Sequence, residues 1–73
     1  MTDPEGALEM ARRHVREGEQ RVLDQESRVA EMDRDGHAEA AMAATELLVT
    51  MRELLQQMRD HLAYEEQKAQ GDL

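Results

Sequence analysis

The sequence contains no cysteine, tryptophan or phenylalanine, and only one tyrosine and one proline. Without cysteine there is no disulfide framework and no thiolate metal site. With so few aromatic residues, and with Leu, Met, Ala, Glu, Gln and Arg abundant, the composition favours helix over sheet. No apolar run approaches the ~18 residues of a membrane span. The four glycines are scattered, at 6, 18, 36 and 71, so no glycine-rich phosphate loop exists. Basic charge is scarce too. Nine Lys and Arg stand against seventeen Asp and Glu, a formal net charge of −8. Such a chain repels phosphate backbones and anionic membranes, which disfavours nucleic acid and membrane as partners. The acidic start, Met1-Thr2-Asp3-Pro4-Glu5-Gly6, lacks the apolar region of a signal peptide. The expected location is therefore cytoplasmic.

Seventy-three residues allow one small domain. A core of that size rarely supplies more than ~3–5 kcal/mol, and small scaffolds usually add disulfides, a metal or a partner chain. With no cysteine, the missing stability must come from long helix packing or from oligomerisation.

The pattern present is a heptad. Leu8, Val15, Val22 and Val29 recur every seven residues, with Ala11, Gly18, Gln25 and Met32 three residues after each. Arg12, Glu19 and Glu26 flank this seam on one side, and His14, Arg21 and Arg28 on the other. Thr2-Asp3-Pro4-Glu5 reads as the helix start, through Asp3 as a cap, Pro4 as first helical residue, or a Thr2/Glu5 capping box. The first helix is expected over about 3–34. Gly18 costs it about 1 kcal/mol relative to alanine, unless a facing helix approaches closely. Gln25, at a seam position, either fixes register or lies at the surface.

Asp33-Arg34-Asp35-Gly36-His37 breaks the pattern, and Gly36 is the natural left-handed residue past a helix end. The turn is placed at about 33–37, a second helix at about 37–68, and a frayed tail at 69–73. The second seam reads Ala41, Ala44, Leu48, Met51, Leu55, Met58 and Leu62. With no linker, the second helix must fold back beside the first. Pairing then joins positions whose numbers sum to about 72, so Val22 meets Met51 and Gly18 meets Leu54 or Leu55. The expected fold is all-α, an antiparallel coiled-coil-like hairpin.

The second helix is more apolar than one partner can cover. Beside its seam lie Ala40, Leu47 and Leu54, with Ala43 and Val49 further round. A third apolar position per heptad is the mark of a bundle helix. The expectation is a homodimer of hairpins forming a four-helix bundle, with Ala40, Leu47, Leu48, Met51, Leu54, Leu55, Met58 and Leu62 as interface residues. The alternative is a monomer offering that face to another protein.

No catalytic set, metal motif or cofactor motif emerges, and an enzyme is not expected. His14, His61 and Glu65 form the one conceivable metal or ligand set, because the fold-back brings the histidines together. They lack the Glu-x-x-His of di-iron bundles and the His-Glu-x-x-His of zinc peptidases. His37-Ala38-Glu39 starts like a deaminase signature, but no Pro-Cys-x-x-Cys follows. Ser27, the only serine, lies far from any histidine under this pairing. Arg12, Arg13 and Arg16 form the nearest thing to a phosphate or RNA site, interleaved by Glu9, Glu17 and Glu19. Three of the six methionines, Met32, Met51 and Met58, fall on the seams, as core filler does.

The run Arg12-Arg13-His14-Val15-Arg16-Glu17-Gly18-Glu19 resembles the opening of a group of short bacterial helical-hairpin proteins. Gly36-His37 and Glu46-Leu47-Leu48-x-Thr50-Met51-Arg52-Glu53-x-Leu55 resemble their turn and leucine-rich second helix. The likeness spans about residues 12–63. It implies a hairpin fold and a bacterial setting, and it carries no activity. The expected function is a non-enzymatic protein–protein interaction or regulatory module.

Overall fold

A computed structural model describes residues 5–71. Two helices make up the fold, α1 over Ala7–Arg34 and α2 over Ala38–Gly71, and they pack against each other. The expected start at Thr2, Asp3 and Pro4 lies outside the described residues. Within them, α1 begins later than residue 3. Gly6 is the N-cap, extended at φ −73°, ψ 165°, and its carbonyl accepts from the Met10 amide at 2.9 Å. No side chain caps this end. Glu5 stays outside the helix, with its carboxylate drawn to Arg13.

The turn follows from Gly36. Its φ of 77° is the left-handed region, open to glycine at no steric cost. The His37 amide donates to the Met32 carbonyl at 2.9 Å, and the Gly36 amide donates to Asp33 at 3.2 Å. These two bonds make a Schellman motif, which satisfies the last carbonyls of α1. The His37 carbonyl then accepts from Ala41, opening α2 one residue later.

Both seams turn inward together. Ala11, Val15, Gly18, Val22 and Gln25 of α1 are buried against Ala41, Ala44, Leu48 and Leu55 of α2. Val29, Met51, Met58 and Leu62 pack on them half-buried. A Cβ built on Gly18 would stand 3.0 Å from Leu55 Cδ1 and 3.1 Å from Met58 Sδ. Gly18 thus faces Leu55, one of its two expected partners, with a pairing sum of 73. Gln25 is 4% exposed, and its Nε2 donates to the Ala44 carbonyl at 2.9 Å. Of the two expectations for Gln25, the structure realises the buried one.

The tail departs from expectation. Residues 68–71 continue α2, where fraying was expected from 69. Ala69 and Gln70 still lie beside Leu8 and Arg12 of α1, so this last turn has a surface to rest on. Residues 72 and 73 lie outside the description. Among the described residues, no helix is long and apolar enough to cross a membrane.

The molecule is one helix layer thick, with extents of 55 × 28 × 13 Å. Each helix has an e column and a g column bordering its a/d seam. In an antiparallel pair e faces e and g faces g, so the hairpin has two different long edges.

Candidate functional site

The e edge is built from charge. Its α1 column is Arg12, Glu19, Glu26 and Asp33; its α2 column is Thr45, Arg52, Arg59 and Glu66. Arg52 Nη2 reaches Glu26 Oε1 at 3.4 Å. Glu19 and Arg59 border one groove, and Arg12 and Glu66 border another. Acid faces base at three successive heptads, reversed in sense at the last. At Arg52 and Glu26 the hairpin itself closes this edge with an ion pair.

The g edge has no such closure. Its α1 column is His14, Arg21 and Arg28, while its α2 column is Ala40, Leu47, Leu54 and His61. Arginine here stands over leucine. A groove of about 110 Å³ is lined by Gly18, Arg21, Met51, Leu54, Leu55 and Met58. A second, of about 230 Å³, is lined by Ala11, His14, Leu54, Gln57, Met58 and His61. Both share Leu54 and Met58, so they are one continuous trough. Leu47 is 51% exposed and Leu54 48%.

The next column round α2, the c column, extends this face. Ala43, Thr50, Gln57 and Tyr64 occupy it, all exposed. From Ala40 to Tyr64 the g and c columns of α2 therefore hold no Asp, Glu, Lys or Arg, in a chain that is 36% charged. Thr50 Oγ1 donates within the helix, to the Glu46 carbonyl, at 3.4 Å. The face is thus not only apolar in part but free of formal charge along some seven turns, where solvation normally places Glu and Lys.

The structure sorts the expected interface residues into three groups. Leu48 and Leu55 are buried within the hairpin, 5% exposed each, and are not available to a second chain. Their a positions point at α1, which is the physical reason. Met51, Met58 and Leu62 are half-buried, with Met51 and Met58 lining the trough. Ala40, Leu47 and Leu54 are exposed along the g column, with Leu54 lining the trough. The sequence reading missed Gln57, Thr50 and Tyr64, which belong to the same face. The signal was the missing charge in the c column, which a search for apolar residues alone passes over.

The other candidate constellations resolve differently. His61 Nε2 lies 3.8 Å from Glu65 Oε1, and His14 borders the same trough as His61. Among the described residues, however, no three His, Asp or Glu side chains group so that they could hold a metal ion. The expected His14/His61/Glu65 set reduces to one His–Glu pair with a histidine across the trough. The Arg12/Arg13/Arg16 cluster is not a bare cationic patch. Arg13 Nη2 lies 2.9 Å from Glu5 Oε1, its Nε donates to both Glu5 oxygens at 3.1 Å, and Nη1 donates to Glu17 at 3.1 Å. Hydrogen bonding from Arg13, reinforced by its charge, holds the Glu5 carboxyl below the usual carboxylate range. The same bonds raise Arg13 further above its ordinary range. Its charge is already matched by two carboxylates.

Compared with known protein families, curated proteins and solved structures, the chain matches none.

Proposed function

We propose that this chain is a small non-enzymatic protein–protein interaction or regulatory module that acts as a homo-oligomer, with the α2 face around Ala40, Leu47 and Leu54 as its association surface. The observation that carries the reading is the uncharged g and c columns of α2, with Leu47 and Leu54 half in water. Full burial of such a side chain is worth ~1.5–3 kcal/mol. A hairpin one layer thick, with a core of four buried large aliphatic side chains, has reason to recruit that energy. Catalytic chemistry has no comparable support, since the histidines and carboxylates stay dispersed along the helices.

The test is sedimentation of the wild type beside a Leu47→Glu, Leu54→Glu double variant. The wild type should sediment above monomer mass, and the variant should shift to monomer because its carboxylates resist desolvation. A wild type that stays a folded monomer at every concentration removes the homo-oligomer.

A further inference from the structure

We infer that two copies stack through this face about a two-fold axis perpendicular to the helices, with α2 on α2 and α1 on α1, each antiparallel. The inference rests on the association reading above and adds its geometry. Leu47 and Leu54 lie one heptad apart on the g column of α2. In an antiparallel α2 pair, both leucines meet leucine in one register, with Leu47 against Leu54 of the partner subunit. The axis then passes between Thr50 and Met51. Either neighbouring heptad register sets one leucine against Ala40 or His61 instead.

That choice, made from α2 alone, fixes how α1 meets its counterpart. The hairpin pairing sum of 73 puts Thr50 and Met51 level with Leu23 and Val22. Rotation about an axis at that level sets Arg21 against Asp24 of the partner subunit. It sets Arg28 against Glu17 of the partner subunit, and His14 against Glu31 of the partner subunit. All six side chains are exposed, on the g and c columns that face the same way as the trough. The g column carries only basic residues and the c column, from Glu17 onward, only acidic ones. Each contact therefore joins opposite charges, and symmetry doubles it. Glu17 is half committed to Arg13 at 3.1 Å, but Arg13 keeps Glu5 when Glu17 turns away.

The other way to close the face has the axis parallel to the helices, which lays α2 over the partner's α1. Leu47 and Leu54 would then press against alternating arginine and carboxylate, and those charges would lose water without opposite partners. The broad face also has the size required. At this register α2 overlaps its counterpart over residues 38–63, about 39 Å at 1.5 Å per residue, so the stacked area is roughly 1,100 Å² across the 28 Å width, against the ~800 Å² per partner of a standard interface. The arginine stems lie over the leucine rim while their heads reach the carboxylates.

A charge-swap experiment tests this geometry. One variant carries Arg21→Glu and Arg28→Glu; the other carries Glu17→Arg and Asp24→Arg. Circular dichroism checks that each stays helical, as exposed positions allow. At low salt each variant alone should dimerise at least about tenfold more weakly than wild type, since four contacts become repulsive. Mixed in equal amounts, they should recover a heterodimer, because every swapped contact is again between opposite charges. A second readout uses the absence of native cysteine: Thr50→Cys, beside the axis, should oxidise readily to a covalent dimer. A wild type that is monomeric throughout overturns both the association and its geometry. A wild-type dimer broken by Leu47→Glu with Leu54→Glu, but indifferent to the charge swaps and uncrosslinked at position 50, keeps the association and overturns the stacking.

Discussion

Two polar or small residues in the seam decide how closely the helices sit. Gly18 lets Leu55 and Met58 approach to a distance at which even a methyl group is tight, at 3.0 and 3.1 Å. Alanine there gains about 1 kcal/mol of helix propensity. It also asks two side-chain ends to move by a few tenths of an ångström. Met58 is half-buried and unbranched and can withdraw; Leu55 is buried and has less room. Gly18→Ala should therefore fall within about 0.5 kcal/mol of wild type, the two terms nearly cancelling. Gly18→Leu should destabilise by roughly 1–3 kcal/mol through overpacking. Urea unfolding of both separates the effects, and a leucine variant as stable as wild type would show that the approach is not tight. Gln25 works differently. Its amide donates to the Ala44 carbonyl at 2.9 Å, a contact that requires a small residue at 44. Gln25→Ala should cost about 1–3 kcal/mol in cavity and lost bond, whereas Gln25→Leu should stay within about 1 kcal/mol, since the Ala44 carbonyl keeps its helical partner. Equal losses for both variants would assign the effect to the hydrogen bond rather than to volume.

At the scale of the element, the hairpin depends on where α1 stops. The α1 seam extrapolates to positions 36, 39, 43 and 46, two residues out of phase with the α2 seam at 41, 44 and 48, so the apolar stripe itself breaks at the Asp35-Gly36-His37 turn. Gly36→Ala should cost about 1 kcal/mol or more, because φ 77° strains any side chain even though open space surrounds the site. Thermal melting followed by circular dichroism measures it; an unchanged or higher midpoint would mean that the turn tolerates a Cβ. The same elements show what was legible in advance. Seams, turn and antiparallel pairing could be read because a seven-residue apolar repeat and a glycine break leave few topologies. The α1 start could not. Within the described residues the extended backbone at Gly6 precedes the helix and Glu5 goes to Arg13, eight residues on, and nothing in the sequence marks Gly6 as the cap. Helical residues at the α2 tail were likewise hidden, since composition suggests fraying and only the neighbouring Leu8 and Arg12 give that turn support. The association face was half legible. Leu47 and Leu54 stand out as apolar, but that Leu48 and Leu55 are spent inside the hairpin depends on which column faces α1. Charge on the e edge could be seen as flanking residues, though not as a ladder until the register was set.

For the molecule as a whole, the central fact is thickness. A plank 13 Å deep has two broad faces and almost no interior, and among the described residues no side chain falls below 2% exposure. Among the other exposed apolar residues, Leu23, Met42 and Val49 lie off the uncharged α2 face, Met42 and Val49 one heptad apart on the b column of α2, between its charged e and f columns. The uncharged α2 face is continuous, and it is where a second layer would add the interior that one hairpin lacks. If folding and pairing are coupled in this way, stability depends on protein concentration by mass action. A tenfold change in concentration shifts a dimer's free energy by about 1.4 kcal/mol per mole of dimer. Unfolding entropy near 2.1 cal/mol/K per residue, over two chains of 73 residues, comes to roughly 0.3 kcal/mol/K. The melting midpoint should then rise by about 4 °C for each tenfold increase in concentration. Circular dichroism over three decades of concentration reads this directly. The Leu47→Glu, Leu54→Glu variant should show a lower midpoint that no longer moves with concentration. A wild-type midpoint flat across the series would mean that the single layer folds alone, and the charge-free face would then be free in the isolated protein to receive a different chain.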